Sequence, residues 1–149
     1  MQKILKDLNE NLLYIYKQKY NILAYKKNEK YEKGNFIYFG FFNKELIYIG
    51  KTSNLNARLN NGHYSGRRSG SQFCVYFFDK YILPKICSKD IKIKNIDEHI
   101  KSEISNVQFY YCNVDLDICG QTLTQIENKL INFALDNYKS SILNKKSKS

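Results

Sequence analysis

Residues 36–50 read FIYFGFFNKELIYIG, and the way that stretch divides decides the fold. Seven mostly apolar residues, then Asn43-Lys44-Glu45, then LIYIG form the pattern of two strands joined by a tight turn. With those three residues as the turn, Tyr38 pairs across from Gly50 and Gly40 from Tyr48. Residues opposite one another share a face, as do residues two apart, so both tyrosine hydroxyls emerge on one side with two glycines leaving room beside them. A two-residue turn moves the register by one and sends the tyrosines to opposite faces, unless a bulge compensates.

Downstream of the hairpin, Thr52-Ser53 supplies a cap for a short helix over NLNARLNN that ends at Gly62, with Leu55 and Leu59 four apart on its buried face. HYSGRRSGS has the glycine and serine content of a loop. FCVYFF at 73–78 and VQFYYC at 107–112 read as further strands; residues 79–106 between them show no clear period. Thr122 followed by Gln125 fits a capping box, and Ile126, Leu130, Phe133 and Ala134 continue at helical spacing to about Tyr138. Upstream, Leu5, Leu8, Leu12 and Tyr16 make an apolar stripe that predicts an amphipathic helix over 2–26. The polar run KKNEKYEKG at 26–34 reads as a connector, which divides an N-terminal helical extension, 1–33, from a main domain, 34–149. Together these elements give an α+β fold: a small layered sandwich with a central antiparallel sheet flanked by helices.

The chain has 149 residues, the size of one ordinary domain, and 24 Lys and Arg against 14 Asp and Glu, a formal charge of +10. With 43% hydrophobic and 15% aromatic residues it is too apolar for a disordered tail. No run approaches the roughly 18 apolar residues of a membrane span, and MQKILKDLNE has no signal-peptide core. The expectation is a soluble cytoplasmic domain with no membrane partner. The surplus charge is local: residues 51–70 hold Lys51, Arg58, Arg67 and Arg68 with no acid, and residues 139–149 hold four lysines with no acid. That points to a polyanionic partner, nucleic acid first, against the plainer reading of a solvated lysine-rich surface. Cys74, Cys87, Cys112 and Cys119 include no Cys-x-x-Cys pair, which speaks against a zinc site, and Cys74 and Cys112 sit in aromatic runs where a thiol packs as a small hydrophobe.

Tyr38 and Tyr48 ten residues apart, Tyr48-Ile49-Gly50, then Lys51-Thr52, Asn54-Leu55 and Arg58 ten residues after Tyr48 resemble the GIY-YIG nuclease superfamily. The first half-motif reads Phe36-Ile37-Tyr38, with Gly34 two residues before it. The resemblance runs through the helix that carries Glu127, about 110 residues, and leaves 1–33 outside it. It implies a sandwich around a three-stranded antiparallel sheet and a single divalent metal, Mg²⁺ with Mn²⁺ as a substitute, held by the glutamate that best matches Glu127. It further implies that Tyr38 activates water, that Tyr48 helps build the pocket and that Arg58 faces the phosphate. His63 matches a histidine of a restriction-enzyme branch, one residue further from the arginine than is usual there. Asn144 resembles an asparagine near the end of many such domains.

The residue chemistry agrees with those roles. Cleaving a phosphodiester builds negative charge on the equatorial oxygens, and a planar guanidinium suits two of them better than an ammonium does. Glu127 has Leu123, Thr124, Leu130 and Ile131 as its helical neighbours, so it borders the apolar stripe, where a carboxylate is costly unless paired or bound to a cation; Glu98 and Glu103 are the fallback ligands. Tyrosine, with a pKa of about 10, is a poor base unless cations stabilise its anion. The proton passes to His63 or stays with Tyr38; the sequence leaves both routes open. Arg67 and Arg68 in their flexible loop, Lys51, and Asn144, Lys145 and Lys146 near the C-terminus are the candidates for DNA contact. The leading expectation is a metal-dependent endonuclease of double-stranded DNA, of restriction or defence type. A homodimer would be the simplest supply of two active sites. The alternatives are a catalytically inactive DNA-binding module of the same fold, and a structural protein whose charge only maintains solubility.

Overall fold

The computed structural model describes residues 1–16, 20–88 and 95–145. Two strands, β2 (Phe36–Phe42) and β3 (Glu45–Thr52), form the expected hairpin. β4 (Gln108–Asn113) pairs antiparallel on the other side of β2, and β1 (Leu23–Ala24) pairs antiparallel with β4. The sheet therefore runs β1-β4-β2-β3, four strands rather than three. Every residue of β2 is buried. That explains its lack of polar alternation: it is an interior strand with both faces covered.

Each face has its own core. On one, Phe36, Tyr38, Phe42, Ile47 and Phe109 meet the segment 55–104. That segment comprises wide-wound π turns over Ala57–Gly62, a 3-10 turn His63–Ser65, α2 (Gln72–Phe77) running on through turns at Phe78–Ile82, α3 (Leu83–Ser88) and α4 (Ile96–Ile104). On the other, Ile37, Phe39, Phe41, Leu46 and Ile49 meet α1 (Gln2–Tyr16) and α6 (Leu123–Tyr138), while a short α5 (Leu116–Cys119) precedes α6. Burying two such layers is the driving force for the sandwich. The Thr122–Gln125 capping box closes the start of α6 as expected.

Four details depart from the sequence reading. FCVYFF is helical, not a strand: the Ser71 hydroxyl accepts the Cys74 N–H as a cap, and Phe73, Cys74 and Phe77 face the core. A short apolar run carries no period by which strand and helix can be told apart. The cap of the helical turn after β3 is Asn54, whose side chain accepts the Ala57 N–H, while Thr52 braces the Asn54 backbone. Among the described residues α1 covers Gln2–Tyr16, and β1 (Leu23–Ala24) lies within the stretch read as helix up to residue 26. The boundary expected at 33/34 does not divide the core: Leu8, Leu12 and Tyr20 lie in one core and Tyr25 in the other. The connector is pinned as well, since Asn56 and Asn60 bond to Tyr25, Lys27, Glu29 and Tyr31.

Segment 141–144 covers the outer edge of β3. The Ser141 hydroxyl donates to the Leu46 carbonyl, the Leu143 N–H to that of Ile47, and the Asn144 amide makes both bonds to the Ile49 backbone. Edge strands left bare invite pairing with other chains. Among the described residues no helix is long and apolar enough to cross a membrane.

Candidate active site

The hairpin turn is two residues long, not three. Asn43 and Lys44 both take positive φ, 51° and 65°, the arrangement whose twist matches a two-residue hairpin. Taken alone, this turn would put Tyr38 and Tyr48 on opposite faces. A bulge between Gly40 and Phe41 restores the register, so Tyr38 faces Gly50 and Gly40 faces Tyr48 as expected. The extra residue lies on β3, and Ile47 and Tyr48 consequently both pack toward the same core.

Tyr38 fills the space that Gly50 leaves. A Cβ on Gly50 would stand 2.2 Å from Tyr38 Cζ and 2.3 Å from its hydroxyl oxygen. The tyrosine is 2% exposed, and its hydroxyl lies 2.7 Å from His63 Nε2. His63 Nδ1 lies 2.8 Å from Ser71 Oγ. Ring centroids of Tyr38 and Tyr48 are 6.2 Å apart, and those of Tyr48 and His63 5.7 Å, with Phe73 and Phe109 closing the cluster. The 3-10 turn delivers His63 into this space. Gly66, at φ +72°, ends the turn where any Cβ would strike the α4 backbone.

Burial governs the acid–base state. It pushes the His63 ring down to about 3, helped by the Arg58 charge, so the imidazole is neutral. It raises Tyr38 well above the usual phenol value; the neighbouring Tyr48 and the Glu127 charge add to the rise and Arg58 opposes it. Tyr48, half-buried, rises to about 12, through burial first and Glu127 next, again against Arg58. The two tyrosines on the sheet therefore feel the same guanidinium and the same carboxylate. Arg58 is exposed on the π turns and lines a cleft of about 270 Å³ with Thr52, Asn54, Ala57, Gly62 and Gly70.

Glu127 belongs to α6, which packs on the opposite face of the sheet. Its charge reaches the tyrosines because β3 is an edge strand, and the start of α6 wraps that edge at Lys51: the Lys51 ammonium bonds to Thr124, and its backbone bonds to the Glu127 carboxylate. Burial raises that half-buried carboxyl, while Lys51 and Arg58 pull it back. Among the described residues no group of three or more His, Cys, Asp and Glu gathers as a metal cage. One open carboxylate fits instead a hydrated ion such as Mg²⁺, which draws its other ligands from water and phosphate. The fallback acids lie on α4, Glu98 exposed and Glu103 half-buried, and neither carries the charge felt by the tyrosines.

The remaining candidates are placed less uniformly. Arg67 is exposed at the loop. Arg68 is tied down, Nε 3.1 Å from Asp97 Oδ1 and its guanidinium 4.8 Å over the Phe78 ring, so its charge is committed to α4 rather than free in the loop. Asn144 holds the β3 edge, and Lys145 sits 5.2 Å over Tyr76. Lys146 lies outside the described residues. Of the cysteines, Cys74 and Cys112 are buried free thiols and Cys87 an exposed one. Ser71 is the site residue that sequence reasoning missed; reading 73–78 as a helix would have marked it as a cap, but nothing in the sequence aims it at His63. No family model, curated protein or solved structure matches the chain.

Proposed function

We propose that this protein is a metal-dependent endodeoxyribonuclease of the GIY-YIG type, acting on double-stranded DNA in the cytoplasm as a restriction or defence enzyme. The observation that carries the reading is the clustering of Tyr38, Tyr48 and His63 on one face of the hairpin, under the joint influence of Arg58 and Glu127. Arg58 beside its cleft grips phosphoryl oxygens, and its fork stabilises the charge that builds there. Tyr38 takes a proton from the attacking water as it passes its own to His63 Nε2, so no free phenolate is required. Phosphate bound at Arg58 offsets one of the two causes that depress His63 and so favours that transfer. Glu127 is the residue to hold Mg²⁺ or Mn²⁺, which when bound supplies charge stabilisation at the scissile phosphate. The products are 5′-phosphate and 3′-hydroxyl ends, and cutting both strands calls for two copies of the chain.

The test is incubation of plasmid DNA with the full chain and Mg²⁺ or Mn²⁺. Nicked or linear product is expected, and Arg58→Ala and Glu127→Ala should each lower the rate by about 100-fold or more with the fold intact. Full activity in either variant removes that residue from its role. One observation favours the second reading, a DNA-binding module without catalysis: Tyr38 is 2% exposed and its hydroxyl is already bonded to His63. Salt-sensitive binding to duplex DNA with no cleavage under either metal would select it.

A further inference from the structure

We propose that Ser71 is a positioning residue that fixes which nitrogen of His63 carries the proton: Ser71 accepts the Nδ1–H, leaving Nε2 bare to receive the Tyr38 hydroxyl. The inference rests on the nuclease reading only for its consequence in catalysis; the assignment of the proton stands on geometry. His63 is 2% exposed and has one partner on each side, Ser71 Oγ at 2.8 Å and the Tyr38 hydroxyl at 2.7 Å. A neutral imidazole donates from one nitrogen and accepts at the other, and the choice follows the bonds its partners make.

Counting donors decides between the two arrangements. If Ser71 donated to Nδ1, Nε2–H would donate to Tyr38, and the Tyr38 proton would need an acceptor; the hydroxyl's bond within the described residues is the one to His63. If Nδ1–H donates to Ser71, Tyr38 donates to Nε2 and both buried groups are satisfied. The serine oxygen then accepts twice, from Nδ1–H and from the Cys74 N–H at 3.2 Å, which uses its two lone pairs. The proton left over belongs to Ser71, a residue 7% exposed against 2% for Tyr38 and the neighbour of Gly70, which lines the Arg58 cleft. An unpartnered donor costs less at the less enclosed of the two residues.

The same bracket fixes the ring in place. Ser71 is held as the cap of α2, and the Cys74 thiol one turn later bonds back to the His63 carbonyl at 3.3 Å. With Nε2 bare, the Tyr38 hydroxyl points its proton inward and turns its lone pairs toward the site. That is the orientation in which it accepts from water. The opposite tautomer turns the Tyr38 proton outward and makes it a donor.

The chain has two histidines, so His99→Gln leaves a single imidazole to observe. Long-range ¹H–¹⁵N correlation spectra of that otherwise complete chain distinguish the tautomers directly. Nδ1–H is expected; Nε2–H overturns the assignment. In the same background Ser71→Ala should shift the ring toward Nε2–H or a mixture, and Ser71→Thr, which keeps the hydroxyl, should restore Nδ1–H. An unchanged tautomer in a folded Ser71→Ala chain also overturns the assignment, and the wild-type-ring measurement decides it even where Ser71→Ala does not fold. In single-turnover cleavage, Ser71→Ala should be slower by about tenfold or more with DNA affinity unchanged, and Ser71→Thr should recover the rate. A chain with the Nδ1–H ring that cuts no DNA sinks the nuclease reading and supports the role of Ser71; a chain that cuts DNA with an Nε2–H ring does the reverse.

Discussion

Gly50 and His63 show how far single residues control this site. Any side chain at Gly50 must displace the Tyr38 ring from the bond it makes with His63. Gly50→Ala should therefore lower stability by about 1–3 kcal/mol, read from the urea midpoint, and abolish any cleavage. His63 controls the acid response. Its ring binds a proton near pH 6.5 when unfolded and near 3 when folded, so this group costs nothing above pH 6.5 and destabilises the fold as pH falls from there toward 3. Between pH 7.5 and pH 5 the loss should be about 2 kcal/mol. Urea unfolding at the two pH values checks it, and His63→Gln should flatten the difference; an equally steep loss in that variant would mean that other groups cause it. At this scale the sequence was informative where residue types are scarce. Three arginines and two histidines among 149 residues leave few choices, and the tyrosines stand at a fixed separation. Ser71 was illegible because serine is common and its role comes from a contact across eight residues of loop.

The hairpin reaches the expected pairing by an unexpected route at the level of elements. A left-handed Asn43-Lys44 turn is one residue shorter than the sequence suggests, and the bulge near Ile47 makes up the difference. Removing Ile47 takes out the bulge but leaves Gly40 opposite Tyr48 and Tyr38 opposite Gly50, so the deletion variant should keep both tyrosines on one face and retain cleavage; lost cleavage in a folded deletion chain would show that the bulge itself shapes the site. Lys44 holds a conformation that suits glycine, so Lys44→Gly should leave function alone and raise the thermal midpoint by the equivalent of about 0.5–1 kcal/mol. β2, β3 and β4 were legible as short apolar, aromatic-rich runs, and α6 by its cap and helical spacing. α2 was not: it is packed from several sides, and its aromatics suit a strand equally well. Bulges leave no mark in a string of apolar letters, since either face is apolar here.

Across the whole molecule, the proposed site depends on an edge. The carboxylate comes from the helical layer on one face and the tyrosines look toward the other, and its charge reaches them past β3, the edge strand of the sheet among the described residues. Residues 1–33, about a fifth of the chain, contribute side chains to both cores of the sheet. Leu8, Leu12, Tyr20 and Tyr25 are core residues, each worth about 1.5–3 kcal/mol, against a typical net stability of about 5–15 kcal/mol. A chain limited to residues 34–149 should accordingly lose cooperative thermal unfolding in circular dichroism. The sequence missed this because β1 is two residues long and the connector is polar; Asn56 and Asn60, which pin it, read only as polar positions of a short helix. The clasp of residues 141–144 along β3 has a consequence for biosynthesis. The tyrosine hairpin leaves the ribosome early, but the segment that secures its flank is made about ninety residues later. A growing polypeptide therefore carries the Tyr38–Tyr48 hairpin with the flank of β3 bare until residues 141–144 have been made.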